Sequence, residues 1–209
     1  MTFVRFFQLA AVSIVAAAPS MLAQTSDTRT ATAGRKVIPP AAQQIIAAVL
    51  PAPADLRPTA TVLGYRPDGT LTTLRKGNGP LVCLASNPEN AEFHVACYHR
   101  SLEAFMARGR ALRAQGVKGG DVDSVRFREI RSGALRMPRG PAVLYSLTGK
   151  PGSFDAATGK ATGARPLFVV YVPNATAESL GLSAVPAEGT PWVMFPGTPK
   201  AHIMFVPKM

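Results

Sequence analysis

The chain has 209 residues, 47% of them hydrophobic, and its 23 Lys and Arg outnumber its 12 Asp and Glu, which gives a formal net charge of +11. Beyond residue 23 no stretch is long and apolar enough to cross a bilayer, which excludes a membrane-spanning segment from the rest of the sequence. That remainder, about 185 residues, suits one domain that buries a core of its own.

The first residues, MTFVRFFQLAAVSIVAAAPSMLAQ, are typical of a secretory signal peptide. One basic residue, Arg5, precedes an apolar run from Phe6 to Ala18, and a small-residue stretch follows. We expect cleavage after Ala23, with Ala18 as a second candidate. The sequence therefore predicts a signal peptide at 1–23 and a periplasmic or secreted protein.

Residues 24–38 are polar, Thr-rich and without periodicity, which predicts a flexible tether ahead of a single domain at 39–209. The domain opens with PPAAQQIIAAVLPAP, where two prolines start a short helix and Pro51 ends it. TATVLGYRPDGTLTTLRKG then predicts a β-hairpin that turns at Pro67 to Gly69. GPLVCLA predicts a third strand.

The segment CYHRSLEAFMARGRALRAQG predicts the main helix. Its apolar residues recur at helical spacing from Tyr98 to Leu112, and Gly116 stands where a C-cap glycine is expected. The next segment, DVDSVRFREIRSG, fits either an alternating strand or a helix capped by Asp121 or Asp123, and the helix is preferred.

The last third of the chain predicts mainly strands. PAVLYSLTG and RPLFVVYVP are two strands separated by a long Gly/Ala/Thr loop at 149–165, TAESLG is a one-turn helix capped by Thr176, and PWVMF and AHIMFV are the last strands. Strands that follow one another, with the helices grouped, indicate an α+β fold. We expect a small antiparallel sheet with one main helix and two or three short helices.

The two cysteines predict a disulfide. Cys83 ends the third strand and Cys97 opens the main helix in this interpretation, and an even pair in an oxidising compartment is normally joined. The alternative is a metal site that adds His94 and His99 to the two thiolates. The spacing H-x-x-C-x-H fits no standard zinc pattern, so the disulfide is preferred and no metal is predicted.

Basic residues concentrate between Arg100 and Arg139. This stretch contains ten Lys and Arg against Glu103, Asp121, Asp123 and Glu129. Clustered Arg would favour nucleic acid in a cytosolic protein, but export makes that partner unsuitable. An anionic envelope surface is the electrostatic partner that remains, and a solvated basic helix face without a partner is the preferred alternative.

Catalytic and cofactor motifs are missing from the sequence. There is no G-x-S-x-G, no H-E-x-x-H, no C-x-x-C-H and no G-x-G-x-x-G after a strand. TGKAT, at 158–162, has small residues like those of a phosphate loop but lies between two strands of a predicted hairpin. The sequence therefore predicts no cofactor.

The stretch TPWVMFPGTPKAHIMFV contains the only Trp of the chain, Trp192, and the histidine His202. A His that alternates with apolar residues is more often a core or sheet-edge residue than a ligand or a catalytic group. Trp192, His202 and Met204 are nevertheless the candidates for an aromatic-walled pocket that binds a small molecule or a copper ion. Tyr145 and Tyr171, from the neighbouring strands, complete this set.

The order of DGTL, GNGPLVCL, CYHRSLEAFMARGRAL, LYSL and PWVMFPGTPKAHIMF resembles a family of small exported bacterial proteins of unassigned function. That family has a Gly-x-Asn-Gly-Trp-like turn before its first cysteine and a Pro-His-x-Met-like last strand. This chain matches the turn at 77–79, has Leu81 and Val82 where the Trp would stand, and has Ala201 in place of the Pro. The resemblance implies no known activity.

Two classes of function remain open from the sequence. The preferred one is a non-enzymatic exported protein that binds a small ligand or an anionic envelope component through the Trp192/His202 corner or the basic helix. The alternative is a small enzyme that uses His202 as general acid and base, with Tyr145 or Tyr171 beside it. An enzyme would need His202 in an open cleft with a polar partner in reach. The sequence makes no prediction of oligomeric state.

Overall fold

The computed structural model describes residues 1–2, 37–187 and 189–207. The predicted signal peptide and most of the predicted tether therefore lie outside the described residues. No helix within these ranges is long and apolar enough to cross a membrane.

Helices and strands follow one another as an α+β fold, as the sequence predicts. The α-helices are α1 (Ala41–Val49), α2 (Glu103–Ala114), α3 (Asp121–Arg131) and α4 (Ala177–Leu180). The strands are β1 (Thr61–Tyr65), β2 (Leu71–Arg75), β3 (Leu81–Leu84), β4 (Phe93–His99), β5 (Ala142–Gly149), β6 (Phe154–Asp155), β7 (Lys160–Ala161), β8 (Arg165–Tyr171), β9 (Trp192–Met194) and β10 (His202–Phe205).

Eight of the strands form one sheet in the order β2-β1-β3-β4-β5-β8-β10-β9, and β6 and β7 form a separate small hairpin. Neighbouring strands are antiparallel except for β1 and β3, which are parallel. Gly69 supplies the positive φ of 87° that the turn between β1 and β2 requires. The predicted hairpin is thus confirmed.

The two faces of the sheet carry separate helices. Successive residues of a strand point to opposite faces, so Val82 and Cys83 of β3 face different layers. Cys83 packs with Ala48 of α1, whereas Val82 packs with Phe105 of α2. Helix α1 therefore covers one face, and α2 with α3 covers the other.

The assignment of Cys97 to the start of the main helix is wrong. Strand β4 runs through Cys97 to His99, a 3-10 turn follows at Arg100–Leu102, and α2 begins at Glu103. Tyr98 and Leu102 pack in the same core cluster, Tyr98 from the strand and Leu102 from the turn. Their spacing in the sequence therefore resembles that of a helix although no helix joins them. The pairing of β4 with β3 and β5 makes its extended form the more stable one.

Helix α3 confirms the preference for a helix over a strand, but its predicted cap is wrong. The N-cap is Gly120, which makes no side-chain capping hydrogen bond. Asp123 instead forms an ion pair with Arg126, three residues further along the helix. In α4 the predicted cap is confirmed, because Thr176 and Ser179 form a reciprocal capping box.

Candidate functional site

His202 is a buried residue of β10. His202 is only 6% exposed, and its Nδ1–H donates a hydrogen bond to the Lys200 carbonyl oxygen at 2.7 Å. The rings of Tyr171 and Phe195 lie 5.1 and 5.7 Å from the imidazole, centroid to centroid. Burial lowers the pKa of His202, and the Lys200 carbonyl only partly opposes this effect. The imidazole is therefore neutral at pH 7.

The sheet brings together most of the residues proposed for this corner. His202 lies opposite Tyr171 of β8, and Met204 lies opposite Trp192 of β9, so these four residues share the face covered by α2 and α3. Tyr145 packs on the other face, with α1. Tyr145 is therefore separated from His202 by the sheet.

Trp192 is 8% exposed, and its indole N–H has no hydrogen-bond partner among the described residues. Neither of the two clefts described below is lined by Trp192, His202, Met204 or Tyr171. A ligand site at this corner stays a prediction.

A partly buried ionic network joins the segment before β10 to the helices beside His202. The Lys200 ammonium lies 2.8 Å from Asp123 Oδ2, and the other carboxylate oxygen of Asp123 pairs with Arg126. Burial opposes ionisation of Asp123, but the hydrogen bonds from Lys200 and Arg126 outweigh it and hold its pKa below the usual range. Asp123 is thus the shared anion of two cations.

Arg126 is an arginine in the interior, 4% exposed. Its guanidinium carbon lies 3.7 Å from the centre of the Phe105 ring, and Nη1 donates to the Phe105 carbonyl oxygen at 3.2 Å. Gly109 of α2 makes room for it, since a Cβ at that position would lie 2.8 Å from Arg126 Nη1. The planar, weakly hydrated guanidinium suits such a site better than an ammonium.

Two of the other acidic residues of the basic stretch also form ion pairs, whereas Asp121 is exposed and pairs with no described residue. Glu129 pairs with Arg108 at 2.6 Å, and Glu103 pairs with Arg110 at 2.7 Å. The Tyr98 hydroxyl donates to Glu103 and accepts from Arg110. These contacts join α3 to α2 and α2 to β4. The carboxylates of Glu103 and Glu129 are therefore each paired with an arginine.

Four exposed arginines remain at the end of α3 and in the segment that follows it. Arg128, Arg131, Arg136 and Arg139, which we call the basic face, form no hydrogen bond or ion pair through their side chains with any described residue. Leu135 and Met137 pack into the core on either side of Arg136, and the Leu135 N–H donates to the Glu129 carbonyl oxygen. The backbone thus holds this segment against α3.

The two cysteines form the predicted disulfide, as a directly opposed pair of β3 and β4. His94 Nδ1 lies 2.8 Å from Thr148 Oγ1, and His99 Nδ1 lies 2.8 Å from Ser101 Oγ. The alternative thiolate metal site is therefore wrong. Within 37–187 and 189–207 no three His, Cys, Asp or Glu side chains are placed to share a metal ion.

A cleft beside α1 was missed by the sequence analysis. It has a volume of about 420 Å³ and lies between the start of α1, the β3–β4 loop and the β6–β7 hairpin. A second cleft, of about 500 Å³, lies on the other side of α1, and Ala156 lines both. The one available signal was Phe154, a single large apolar residue inside the Gly/Ala/Thr loop.

The basic face and the cleft beside α1 are both open to solvent. Comparisons of the chain with protein-family models, with curated proteins and with solved structures found no match, so the resemblance to a family of exported bacterial proteins stays a prediction.

Proposed function

We propose that this chain is an exported, non-enzymatic protein that binds an anionic, phosphate-bearing envelope surface through the basic face. The observation that carries the proposal is the unequal use of charge on α2 and α3. The carboxylates of Glu103, Asp123 and Glu129 are taken up by internal ion pairs. The four arginines of the basic face are exposed and have no such partner among the described residues.

Arginine suits phosphate in particular. Its guanidinium donates two parallel hydrogen bonds to phosphate oxygens and stays charged at every physiological pH. Near an anionic membrane each Lys or Arg contributes about 1 kcal/mol of binding free energy. Four arginines acting together would contribute about 4 kcal/mol, a roughly thousandfold gain in affinity.

Export is supported by the leader pattern together with the Cys83–Cys97 disulfide, because such bonds persist mainly outside the reducing cytoplasm. A non-enzymatic role is supported by the burial of His202 and by the hydrogen bond that its Nδ1–H donates to the Lys200 carbonyl oxygen.

The proposal is tested with phosphatidylglycerol vesicles in a sedimentation assay. The variant R128Q/R131Q/R136Q/R139Q should bind at least a hundredfold more weakly than the parent, as expected from about 1 kcal/mol per arginine. The matched control is R66Q/K150Q/K160Q/R165Q, which removes four exposed positive charges elsewhere. Control and parent should differ by less than fivefold.

Equal losses in the two quadruple variants would show that net charge alone drives binding, and would contradict the proposal. Phosphatidylcholine vesicles should bind neither protein. Inorganic polyphosphate in solution separates the two sources of phosphate. Arginine-dependent binding to polyphosphate with none to vesicles assigns the face to a soluble polymer instead of a lipid surface. If the parent binds neither phosphatidylglycerol vesicles nor polyphosphate, the proposal is wrong.

A further inference from the structure

The cleft beside α1 lies on the opposite side of the sheet from the basic face. We propose that the cleft beside α1 binds a flat apolar molecule that is neutral or carries one positive charge. The proposal does not rest on the proposed function, because α1 and α3 cover different faces. Both sites are open to a partner at the same time.

The wall of the cleft is aromatic. Phe93 of β4 and Phe154 of β6 lie with their ring centroids 6.1 Å apart and their planes 8° from parallel. Phe93 is anchored in a core cluster with Val95 and Ala164, so this ring is held in place by the sheet. Phe154 packs against that cluster from the hairpin. Stacked rings at an opening offer a flat apolar surface to a planar ligand.

Much of the remaining lining is made of small residues, although Gln43, Gln44 and Asn90 also line the cleft. Ala47 of α1, Ala85 at the end of β3, and Pro39, Ala91 and Gly152 from the surrounding loops leave the space that larger side chains would fill. A volume of about 420 Å³ lies within the range of about 300–1,000 Å³ typical of small-molecule sites. The polar groups of Ser86 and Asn87 stand among the lining residues, as in sites where a few polar atoms orient an apolar ligand.

Charge selects among apolar ligands. Among the described residues that line the cleft, Glu92 is the only charged one, and none is Lys or Arg. This contrasts with a chain whose formal net charge is +11. An anionic ligand would meet no counter-charge in the cleft, whereas a cationic group would lie near the Glu92 carboxylate.

The β6–β7 hairpin forms the side of the cleft that faces α1. The Thr162 N–H donates to the Ser153 carbonyl oxygen, and Asp155 accepts hydrogen bonds from the Ala157 N–H and from the Thr158 hydroxyl. These bonds order the turn that carries Phe154. The site is therefore built from a sheet, a helix and a hydrogen-bonded turn.

The test uses the full chain and the neutral fluorescent probe N-phenyl-1-naphthylamine. We expect saturable binding of one probe per chain. A91W fills the cleft and F154A removes half of the aromatic wall, so each should weaken binding at least fivefold. The matched control is A157W, which adds the same bulk at an exposed position that lines only the second cleft. It should change the affinity less than twofold.

Two further probes test the charge preference. In 1-anilinonaphthalene-8-sulfonate a sulfonate is added to the same ring system, and it should show no binding that A91W removes. The cation 1-pyrenemethylamine should bind, and E92Q should weaken it at least threefold while leaving N-phenyl-1-naphthylamine unchanged. Circular dichroism melting of every variant within 3 °C of the parent establishes that the fold is retained.

Non-saturable binding of the neutral probe, or equal losses in A91W and A157W, would overturn the proposal. Stronger binding of the sulfonate than of the neutral probe at the A91W-sensitive site would overturn the ligand class. A large gain of probe binding when residues 24–36 are deleted would identify the chain's own segment as the occupant and would also overturn it.

Discussion

The two faces of the main sheet are closed in different ways. On one face, α2 and α3 lie over an aromatic cluster and are tied down by the Asp123–Arg126–Lys200 network. On the other face, α1 packs on small and apolar residues above the Cys83–Cys97 disulfide. The first face thus combines apolar packing with a partly buried ionic network, whereas the second face combines apolar packing with a cross-link between the two strands beneath α1.

The length of α1 explains why it covers only part of its face of the sheet. A helix of nine residues is about 13 Å long, whereas eight strands at about 4.8 Å spacing extend over about 34 Å. Helix α1 accordingly packs on β1, β2, β3 and β4. Phe168 of β8 and Phe205 of β10, which pair with one another beyond its reach, stay 37% and 39% exposed. The cleft beside α1 is a second consequence of this short cover.

The largest expected effect comes from breaking the ionic network. Asp123→Ala leaves the buried Arg126 and the Lys200 ammonium without their anion, which should destabilise the protein by about 3–5 kcal/mol. Urea unfolding followed by circular dichroism measures the change. The control is Asp121→Ala, an exposed acid in the same first turn of α3, which should cost less than about 1 kcal/mol. Similar losses in the two variants would show that the network does not hold this face.

The next effect tests the other face. Cys83→Ala with Cys97→Ala removes the cross-link beneath α1 and should lower stability by about 3 kcal/mol, or the melting temperature by about 6–12 °C. Reduction of the parent with dithiothreitol should give a similar shift and leave the double variant unchanged. Thiol titration of the unfolded, unreduced parent should find no free thiol. Two free thiols in that titration would contradict the disulfide.

The smallest effect concerns His202, which lies on the face of the sheet covered by α2 and α3. His202→Gln loses or distorts the hydrogen bond to the Lys200 carbonyl and should cost about 1–3 kcal/mol. A change of less than about 0.5 kcal/mol, coupled with the loss of a co-purifying ligand, would instead make this corner a binding site.

The pH dependence of stability sharpens the same test. The pKa of His202 in the folded chain lies below its unfolded value of about 6.5. Between these two pKa values the unfolded chain therefore binds a proton at this residue that the folded chain does not bind. Stability is therefore full above pH 6.5 and falls as the pH drops toward the folded pKa, by at most about 1.4 kcal/mol per pH unit. His202→Gln should lack this part of the slope. His94→Gln is the necessary control, because burial lowers the pKa of His94 as well.

Much of the fold could be predicted from local pattern. The hairpin of β1 and β2, the short helix α1, the helices α2 and α3, and the capped turn of α4 are confirmed. Each depends on periodicity or turn residues within about a dozen positions, which act before any distant contact forms. The disulfide required only two cysteines and the expectation of an oxidising compartment.

The sites depended on contacts between residues far apart in the chain. The local pattern predicts a helix from Cys97 onward, whereas the end of β4 is kept extended by pairing with β3 and with β5, which lies some 45 residues further on. The split of the basic stretch into internal ion pairs and a free basic face follows from the packing of α2 on α3, which a charge count cannot reveal.

By itself the sequence determined the helices, the turns, the disulfide pair and the excess of positive charge, because these follow from residue type and short-range spacing. Only the tertiary structure decided that His202 is buried, that Tyr145 lies across the sheet from it, and that Phe93 meets Phe154. The physical reason is that burial and side-chain contact depend on which strands pair and which face each residue takes. That choice is made by the whole sheet at once.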